Sequence, residues 1–156
     1  WYYQQIELGW NYRMTDFQAA LGASQMRKLD AFVARRSALA RRYDELLQGL
    51  PLTLPWQHPE TASAWHLYVI RLRLDQLKKT RRQMVEELRA AGLGVQVHYI
   101  PVHTQPYYRR LGFRDGDFPE AERYYGETIS LPMFAGLTDE HQACAVETLR
   151  RILGTT

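Results

Sequence analysis

Apolar residues recur at helical spacing through the first third of the chain, from Phe17 to Leu47, which is typical of two helices or one long bent helix. The segment Thr15-Asp16-Phe17-Gln18 predicts where this pattern begins, because the threonine hydroxyl can accept a backbone N–H while the glutamine side chain reaches back. Gly49-Leu50-Pro51 predicts its end, since glycine adopts a left-handed cap and proline cannot continue a helix. The pattern therefore predicts a helical segment over residues 1–50.

The rest of the chain, residues 51–156, alternates between two hydrophobic patterns, one typical of strands and one typical of helices. Three stretches have the pattern of strands, and four have the pattern of helices. The predicted strands are 64–74, 94–99 and 129–131, and the predicted helices begin at Thr80, near Pro106, at Pro119 and at Thr138. Residues 51–63 hold three prolines and predict a connection. Together these elements indicate an α+β fold, with a small antiparallel or mixed sheet and helices on one side.

Composition narrows the class of protein. The chain has 156 residues, of which 46% are hydrophobic and 24% charged, the profile of one globular unit. The net charge of +3 comes from arginine pairs interleaved with acids, so it forms no concentrated stripe for nucleic acid. Apolar runs are too short to span a bilayer. We therefore expect no nucleic-acid and no membrane partner.

The single cysteine, Cys144, indicates a reducing compartment, and we expect a cytoplasmic protein. Cys144 falls in a helical pattern, so we expect a small buried residue there and not a nucleophile.

A first polar cluster, residues 7–13, lies just before the predicted start of the first helix. Gly9 permits a close backbone approach, the Asn11 amide can donate hydrogen bonds, and Arg13 carries a fixed positive charge. The free N–H groups at a helix start favour anions, so a phosphate is a reasonable ligand. The alternative is that Gly9 and Asn11 only turn the chain.

A second polar cluster, residues 96–105, combines imidazole, phenol and amide groups. His98 and Tyr99 lie on opposite faces of the predicted strand, and Pro101 leads into a loop with His103. These groups could bind the hydroxyls of a sugar or a phosphate, or they could be ordinary hydrogen-bonded residues. The histidine spacing fits no common metal site, so we expect no metal.

The three lysines give no sign of covalent catalysis. Lys28, Lys78 and Lys79 lie among charged residues, and none has the apolar setting that activates a lysine amine. The chain by itself therefore does not have a complete set of catalytic groups.

Both clusters carry a resemblance to a known family. Residues 7–22, Glu-Leu-Gly-Trp-Asn-Tyr-Arg-Met-Thr-Asp-Phe-Gln-Ala-Ala-Leu-Gly, resemble a signature of the DegT/DnrJ/EryC1/StrS aminotransferases. The resemblance continues through 65–68, 95–105, 129–132 and 137–140, as the C-terminal part of the family's length. Residues 94–103 look most like the branch that makes the 4-amino sugar precursor of pseudaminic acid, a UDP-4-amino-4,6-dideoxy-N-acetyl-beta-L-altrosamine transaminase.

The resemblance implies a fold and a set of roles. It implies the small domain of a fold-type I aminotransferase that uses pyridoxal phosphate (PLP) and acts as a homodimer. It implies that Asn11 contacts the PLP phosphate of the partner subunit, and that Arg13, His98, Tyr99 and His103 lie near the nucleotide-sugar substrate. Glutamate would be the amino donor. The cofactor lysine belongs to a family segment before Trp1, so we expect the chain to be inactive alone.

The sequence leaves one alternative function open and disfavours another. The chain could be a free-standing α+β binding or regulatory module without catalysis. A helical-hairpin nucleic-acid binder is disfavoured by the dispersed charge.

Overall fold

The computed structural model describes residues 4, 6–10 and 12–154. Within that part of the chain there are six helices: α1 (Asp16–Met26), α2 (Leu29–Leu46), α3 (Arg81–Ala90), α4 (Pro106–Arg110), α5 (Pro119–Glu127) and α6 (Asp139–Leu153). The strands are β1 (Leu52–Thr53), β2 (Tyr68–Leu72) and β3 (Thr128–Leu131). Short 3-10 turns cover Leu74–Gln76 and Val102–Thr104. None of the described helices is long and apolar enough to cross a membrane.

The predicted helix starts at Thr15 and Thr80 are confirmed, and each forms a capping box, in which two side chains pair with backbone N–H groups. At the start of α1 the Gln18 N–H donates to the Thr15 hydroxyl (3.3 Å), and the Thr15 N–H donates to the Gln18 side chain (2.9 Å). Thr80 and Gln83 repeat the arrangement at the start of α3. Each box satisfies backbone donors that a helix start leaves unpaired, so both helix starts could be located from local sequence.

The three strands form one antiparallel sheet in the order β1-β2-β3. Alternate residues of β2 point to opposite faces. Tyr68, Ile70 and Leu72 point into the core and are buried. Val69 and Arg71 point to the second face, and the register places Ser130 of β3 opposite Val69. The sheet therefore has one apolar face and a second, more polar face.

One hydrophobic core joins α2, α3 and α6 to the apolar face of the sheet. The apolar residues of α3 and α6 point into this core, with Val85 half-buried: Met84, Val85, Leu88, Val146, Leu149 and Ile152. The second half of α2 contributes Leu39 and Tyr43, and burial raises the pKa of the Tyr43 phenol. The predicted α+β fold with a small antiparallel sheet is confirmed.

Arginine side chains fix α2 to the elements around it. The Arg36 guanidinium donates to the carbonyls of Trp65, His66 and Met133 at 2.9–3.1 Å. Arg42 donates to the Asp139 carbonyl, and Arg150 of α6 donates to the Leu46 carbonyl. The carbonyls of Trp65, His66 and Met133 lie in loops and that of Leu46 lies at the C-terminal end of α2, so these arginine bonds satisfy acceptors outside the regular helix and strand bonding, whereas the Asp139 carbonyl lies in the first turn of α6.

Two predicted strands need correction. The stretch 64–74 forms a strand only over 68–72, because Trp65 has a left-handed backbone (φ 49°) and Leu74 begins a 3-10 turn. The stretch 94–99 makes only an isolated bridge, between Gln96 and Ser130. In the antiparallel register set by this bridge, the residue opposite Gly94 is Pro132, which has no N–H to donate. The Val95 carbonyl is instead bound by the Arg89 side chain.

The connection predicted over 51–63 begins with a strand. Leu52 and Thr53 pair with Leu72 and Arg71 of β2. A two-residue strand has no periodicity of its own, so only the pairing defines it.

Cys144 is exposed, and the expectation of a buried residue there was wrong. It lies on α6 between buried Gln142 and Ala145, and the helix turn places its side chain on the solvent side. The first helix is also exposed. No residue of α1 is buried, and Phe17 is 90% exposed.

Candidate functional site

His98 is held against the polar face of the sheet. Its Nδ1 lies 2.7 Å from the Ser130 hydroxyl, and Ser130 is buried on β3. The two backbones meet at the same place, because Gln96 and Ser130 exchange hydrogen bonds (2.8 and 3.3 Å). With Nδ1 engaged, Nε2 is the ring nitrogen that remains for a ligand. The half-buried His98 side chain is therefore fixed in position by its partner on β3.

Arg89 at the end of α3 supports the same segment. Its guanidinium donates to the Val95 carbonyl (3.0 Å) and to the Gln96 side chain (3.0 Å). An arginine can bind two acceptors at once through its planar fork. Arg89 thus fixes the backbone just before His98 as well as the Gln96 amide.

Tyr99 is mostly exposed. Its side chain is 72% exposed, and its ring meets the His98 imidazole edge-on at 4.6 Å between centroids. This pair offers a ligand the apolar face of the Tyr99 ring and two polar atoms, the Tyr99 hydroxyl oxygen and His98 Nε2.

His103 is turned inward. It is 6% exposed, and its Nε2 lies 2.8 Å from a Glu122 carboxylate oxygen at the start of α5. The same oxygen accepts the Gly116 N–H at 2.7 Å. The hydrogen bond from His103, and then the one from Gly116, hold the pKa of the Glu122 carboxyl below its usual value. His103 therefore faces a carboxylate of its own chain.

The remaining predicted residues lie at the other end of the sequence. Arg13 is exposed ahead of α1, and within the described part of the chain it has no hydrogen-bond or ion-pair partner. Asn11 lies outside the described residues. The structure brings His98 and Tyr99 together and places His103 just after them, and it records no contact between these residues and Arg13.

No described lysine occupies an enclosed apolar site. Lys28 precedes α2 and Lys78 is exposed, while Lys79 donates to Glu87 (2.7 Å) and to the Ile152 carbonyl. Among the described residues there is no group of three or more side chains arranged to hold a metal ion.

The partners of the two histidines could not be identified from the sequence. Ser130 is 32 positions from His98, and Glu122 is 19 positions from His103. The one usable signal was the predicted strand at 129–131, which puts Ser130 on the face opposite Ile129.

Replacing Ser130 by alanine tests how His98 is held. We expect the free energy of unfolding to fall by about 1 kcal/mol, the usual value of one hydrogen bond. The ring-nitrogen NMR signals of His98 should shift and broaden as the imidazole becomes mobile. Exposed His66 is the internal control, and its signals should stay in place. Unchanged His98 signals would contradict the hydrogen bond.

Sequence comparison identifies the class of protein. The profile of the DegT/DnrJ/EryC1/StrS aminotransferase family matches residues 1–150. The chain is 39% identical over 155 residues to the uncharacterized protein MJ1066 of Methanocaldococcus jannaschii, covering 98% of the chain and 40% of that protein. It is 38% identical to the spore coat polysaccharide biosynthesis protein SpsC of Bacillus subtilis, covering 98% of the chain and 40% of SpsC. The chain belongs to the DegT/DnrJ/EryC1/StrS aminotransferase family.

Solved structures of sugar aminotransferases share the fold. The PMP form of the putative sugar aminotransferase Spr1654 from Streptococcus pneumoniae matches with a TM-score of 0.90 and 29% identity, covering 99% of the chain and 39% of Spr1654. DesV of S. venezuelae matches with a TM-score of 0.89 and 31% identity, covering 99% of the chain and 40% of DesV. Helicobacter pylori PseC, an aminotransferase involved in pseudoaminic acid biosynthesis, matches with a TM-score of 0.87 and 28% identity, covering 98% and 41%. The chain thus spans about 40% of the length of the proteins it matches.

Proposed function

We propose that this chain is the C-terminal part of a PLP-dependent aminotransferase that acts on a nucleotide-linked sugar. The observation that carries the proposal is the match of 99% of the chain to Spr1654, a putative sugar aminotransferase solved in PMP and PLP forms. The amino group would come from glutamate. The acceptor would be a UDP-linked 4-keto-6-deoxy sugar of the pseudaminic acid pathway, a choice supported by residues 94–103 and by the similarity to PseC.

The residues near α1 fit one part of the cofactor, its phosphate. Arg13 offers an exposed guanidinium beside the start of an 11-residue helix, where anions are favoured. In this proposal Asn11 contacts the phosphate of the cofactor bound by the partner subunit, with Arg13 close by. None of the three lysines fits the covalent attachment, so that lysine would belong to the rest of the enzyme. When bound, PLP supplies an electron sink for moving the amino group.

The second cluster would bind the sugar nucleotide. His98, oriented by Ser130, would offer its Nε2 to a hydroxyl or phosphate oxygen, and exposed Tyr99 would contact the same ligand. His103 belongs to the same proposed site. Each of these groups binds or orients the substrate, and none is assigned a covalent step.

The surroundings of the site follow from the same proposal. Residues 1–50 would join the large cofactor-binding domain to the small domain of residues 51–156. The exposed apolar side chains of α1 and early α2, such as Phe17, Leu21 and Phe32, would be covered in the whole enzyme. We place that enzyme in the cytoplasm, as a homodimer.

An absorption experiment tests the proposal. The complete polypeptide carrying this sequence is mixed with PLP, and its visible spectrum is recorded before and after L-glutamate is added. We expect a cofactor band that glutamate bleaches and that the UDP-linked keto-sugar restores. With Asn11→Ala, we expect about tenfold weaker PLP retention, because one charge-assisted hydrogen bond is worth about 1.5 kcal/mol.

The control variant is Gln4→Ala, an exposed residue in the same stretch, which should retain PLP like the unaltered protein. A folded protein that gives no band with PLP would overturn the aminotransferase function and favour a binding module. A band that glutamate bleaches but the UDP-linked keto-sugar does not restore would overturn only the choice of acceptor.

A further inference from the structure

Residues 101–122 form a small unit of their own beside the main core. Its centre is the His103–Glu122 pair, which joins the 3-10 turn to the first turn of α5. Because one Glu122 oxygen accepts from both His103 and the Gly116 N–H, the carboxylate also fixes the loop before α5. Three separate stretches of chain thus meet at one carboxylate.

Aromatic rings cover this pair. The Phe118 ring lies 4.8 Å from the His103 imidazole, Phe113 packs on Phe118 at 6.2 Å, and Tyr108 packs on Phe113 at 6.3 Å between centroids. They line an apolar cavity of about 370 Å³ with His103 in its wall. The rings keep water from most of the imidazole, which strengthens its bond to Glu122.

Further hydrogen bonds close the unit on itself. The Thr104 hydroxyl donates to the Pro101 carbonyl (2.8 Å), and Arg109 of α4 donates to the Thr104 carbonyl (2.8 Å). Arg109 also pairs with Asp115 in the following loop. Pro101 is buried, and it directly follows the segment that carries His98 and Tyr99. The unit therefore begins two residues after Tyr99 and is joined to it through Ile100.

We propose that His103 and Glu122 are positioning residues. Their hydrogen bond, called the lock below, holds the 101–122 unit together and thereby fixes the placement of Tyr99 and Val102 for the ligand. This inference rests on the proposed function, and it specifies how His103 acts there. His103 acts through Glu122 and does not itself contact the substrate. The part that contacts the ligand is the exposed surface of the residues just before His103 in the sequence, where Tyr99 is 72% and Val102 61% exposed.

The lock depends on pH through the charge of Glu122. The groups that face this carboxylate are His103 from the 3-10 turn, the Gly116 N–H, and Asp115, whose charge opposes the lowering of the pKa. Arg109 partly offsets Asp115 by pairing with it. A carboxyl whose pKa is lowered in the folded state stabilises that state above its ordinary pKa. The stabilisation is lost as the pH falls through the lowered value, so the unit should open first in acid.

Amide hydrogen exchange on the complete protein tests the lock without requiring activity. We expect Glu122→Gln to reduce the amide protection factors of residues 104–118 at least fivefold at neutral pH. The unaltered protein should lose protection there when the pH is lowered, and the variant should show no such further loss. Protection in α3 and α6 should not change. The matched control is Glu120→Gln, an exposed glutamate in the same helix turn, which should leave 104–118 protected. Unchanged protection in Glu122→Gln, or an equal loss across α3 and α6, would overturn the lock.

Kinetics then test the positioning role. In Glu122→Gln we expect KM for the keto-sugar to rise about fivefold, with the glutamate half-reaction unchanged. Loss of protection with an unchanged KM would overturn positioning. If the unaltered protein shows the expected exchange protection but no transamination, the proposed function is refuted. The positioning pair is then still supported by the exchange data.

Discussion

Replacing Arg36 by methionine is expected to lower the free energy of unfolding by about 2–3 kcal/mol. The guanidinium satisfies the carbonyls of Trp65, His66 and Met133, and methionine fills similar space without a donor. A hydrogen bond to a charged group contributes about 1.5–3 kcal/mol, but three acceptors share one nitrogen here, so their contributions do not add in full. Trp65, whose backbone is left-handed (φ 49°), also loses the donor to its carbonyl. Urea unfolding monitored by circular dichroism would measure the change.

Arg41→Met is the matched control for Arg36. Arg41 lies on the same helix, is exposed, and makes no hydrogen bond within the described part of the chain. We expect its substitution to change stability by less than about 0.5 kcal/mol. Equal effects of the two substitutions would show that charge or helix propensity, and not the three carbonyls, decides the result.

Replacing Leu149 by alanine is expected to cost about 2–5 kcal/mol. The Leu149 side chain on α6 is 0% exposed and belongs to the main core between the helices and the sheet. The loss combines the transfer free energy of the removed carbons with the cavity they leave behind. Contacts across this core join α6 to α2 and α3, so the whole fold should be affected. Thermal and urea unfolding would both record it.

The control for Leu149 is Leu111→Ala. Leu111 is 62% exposed just after α4, so its truncation leaves no cavity in the main core. We expect a change below about 0.5 kcal/mol. A small effect at Leu149 would mean that the core closes over the missing side chain.

Local signals in the sequence predicted the longer elements of the fold. The capping boxes at Thr15 and Thr80 and the apolar spacing of α6 depend on residues within a few positions of one another. The strand predicted over 129–131 lies at Thr128–Leu131 in the structure, and Pro132 marks its end. Such elements are defined by their own residues, so the sequence suffices to place them.

Elements that depend on distant partners could not be predicted. The strand at Leu52–Thr53 exists only through its pairing with β2. Residues 94–99 pair with β3 only at Gln96, and Pro132, which lies opposite Gly94, has no N–H to donate there. The site shows the same limit. His98 and His103 were selected by residue type, whereas nothing in the sequence linked Ser130 and Glu122 to them across 32 and 19 positions. Cys144 was misjudged from its residue type, since it lies about 200° around α6 from buried Val146.

The arginines that bind backbone carbonyls also constrain how this sequence can diverge over evolution. Only three of its twenty basic residues are lysine. Arg36, Arg42 and Arg150 donate to carbonyls across helix and loop boundaries through a terminal guanidinium nitrogen, which lies one bond farther from the backbone than a lysine ammonium. Exchange to lysine at these positions would keep the charge and lose the bonds. Divergent copies of this domain should therefore retain arginine there, and a basic composition would persist for architectural reasons, whatever the ligand.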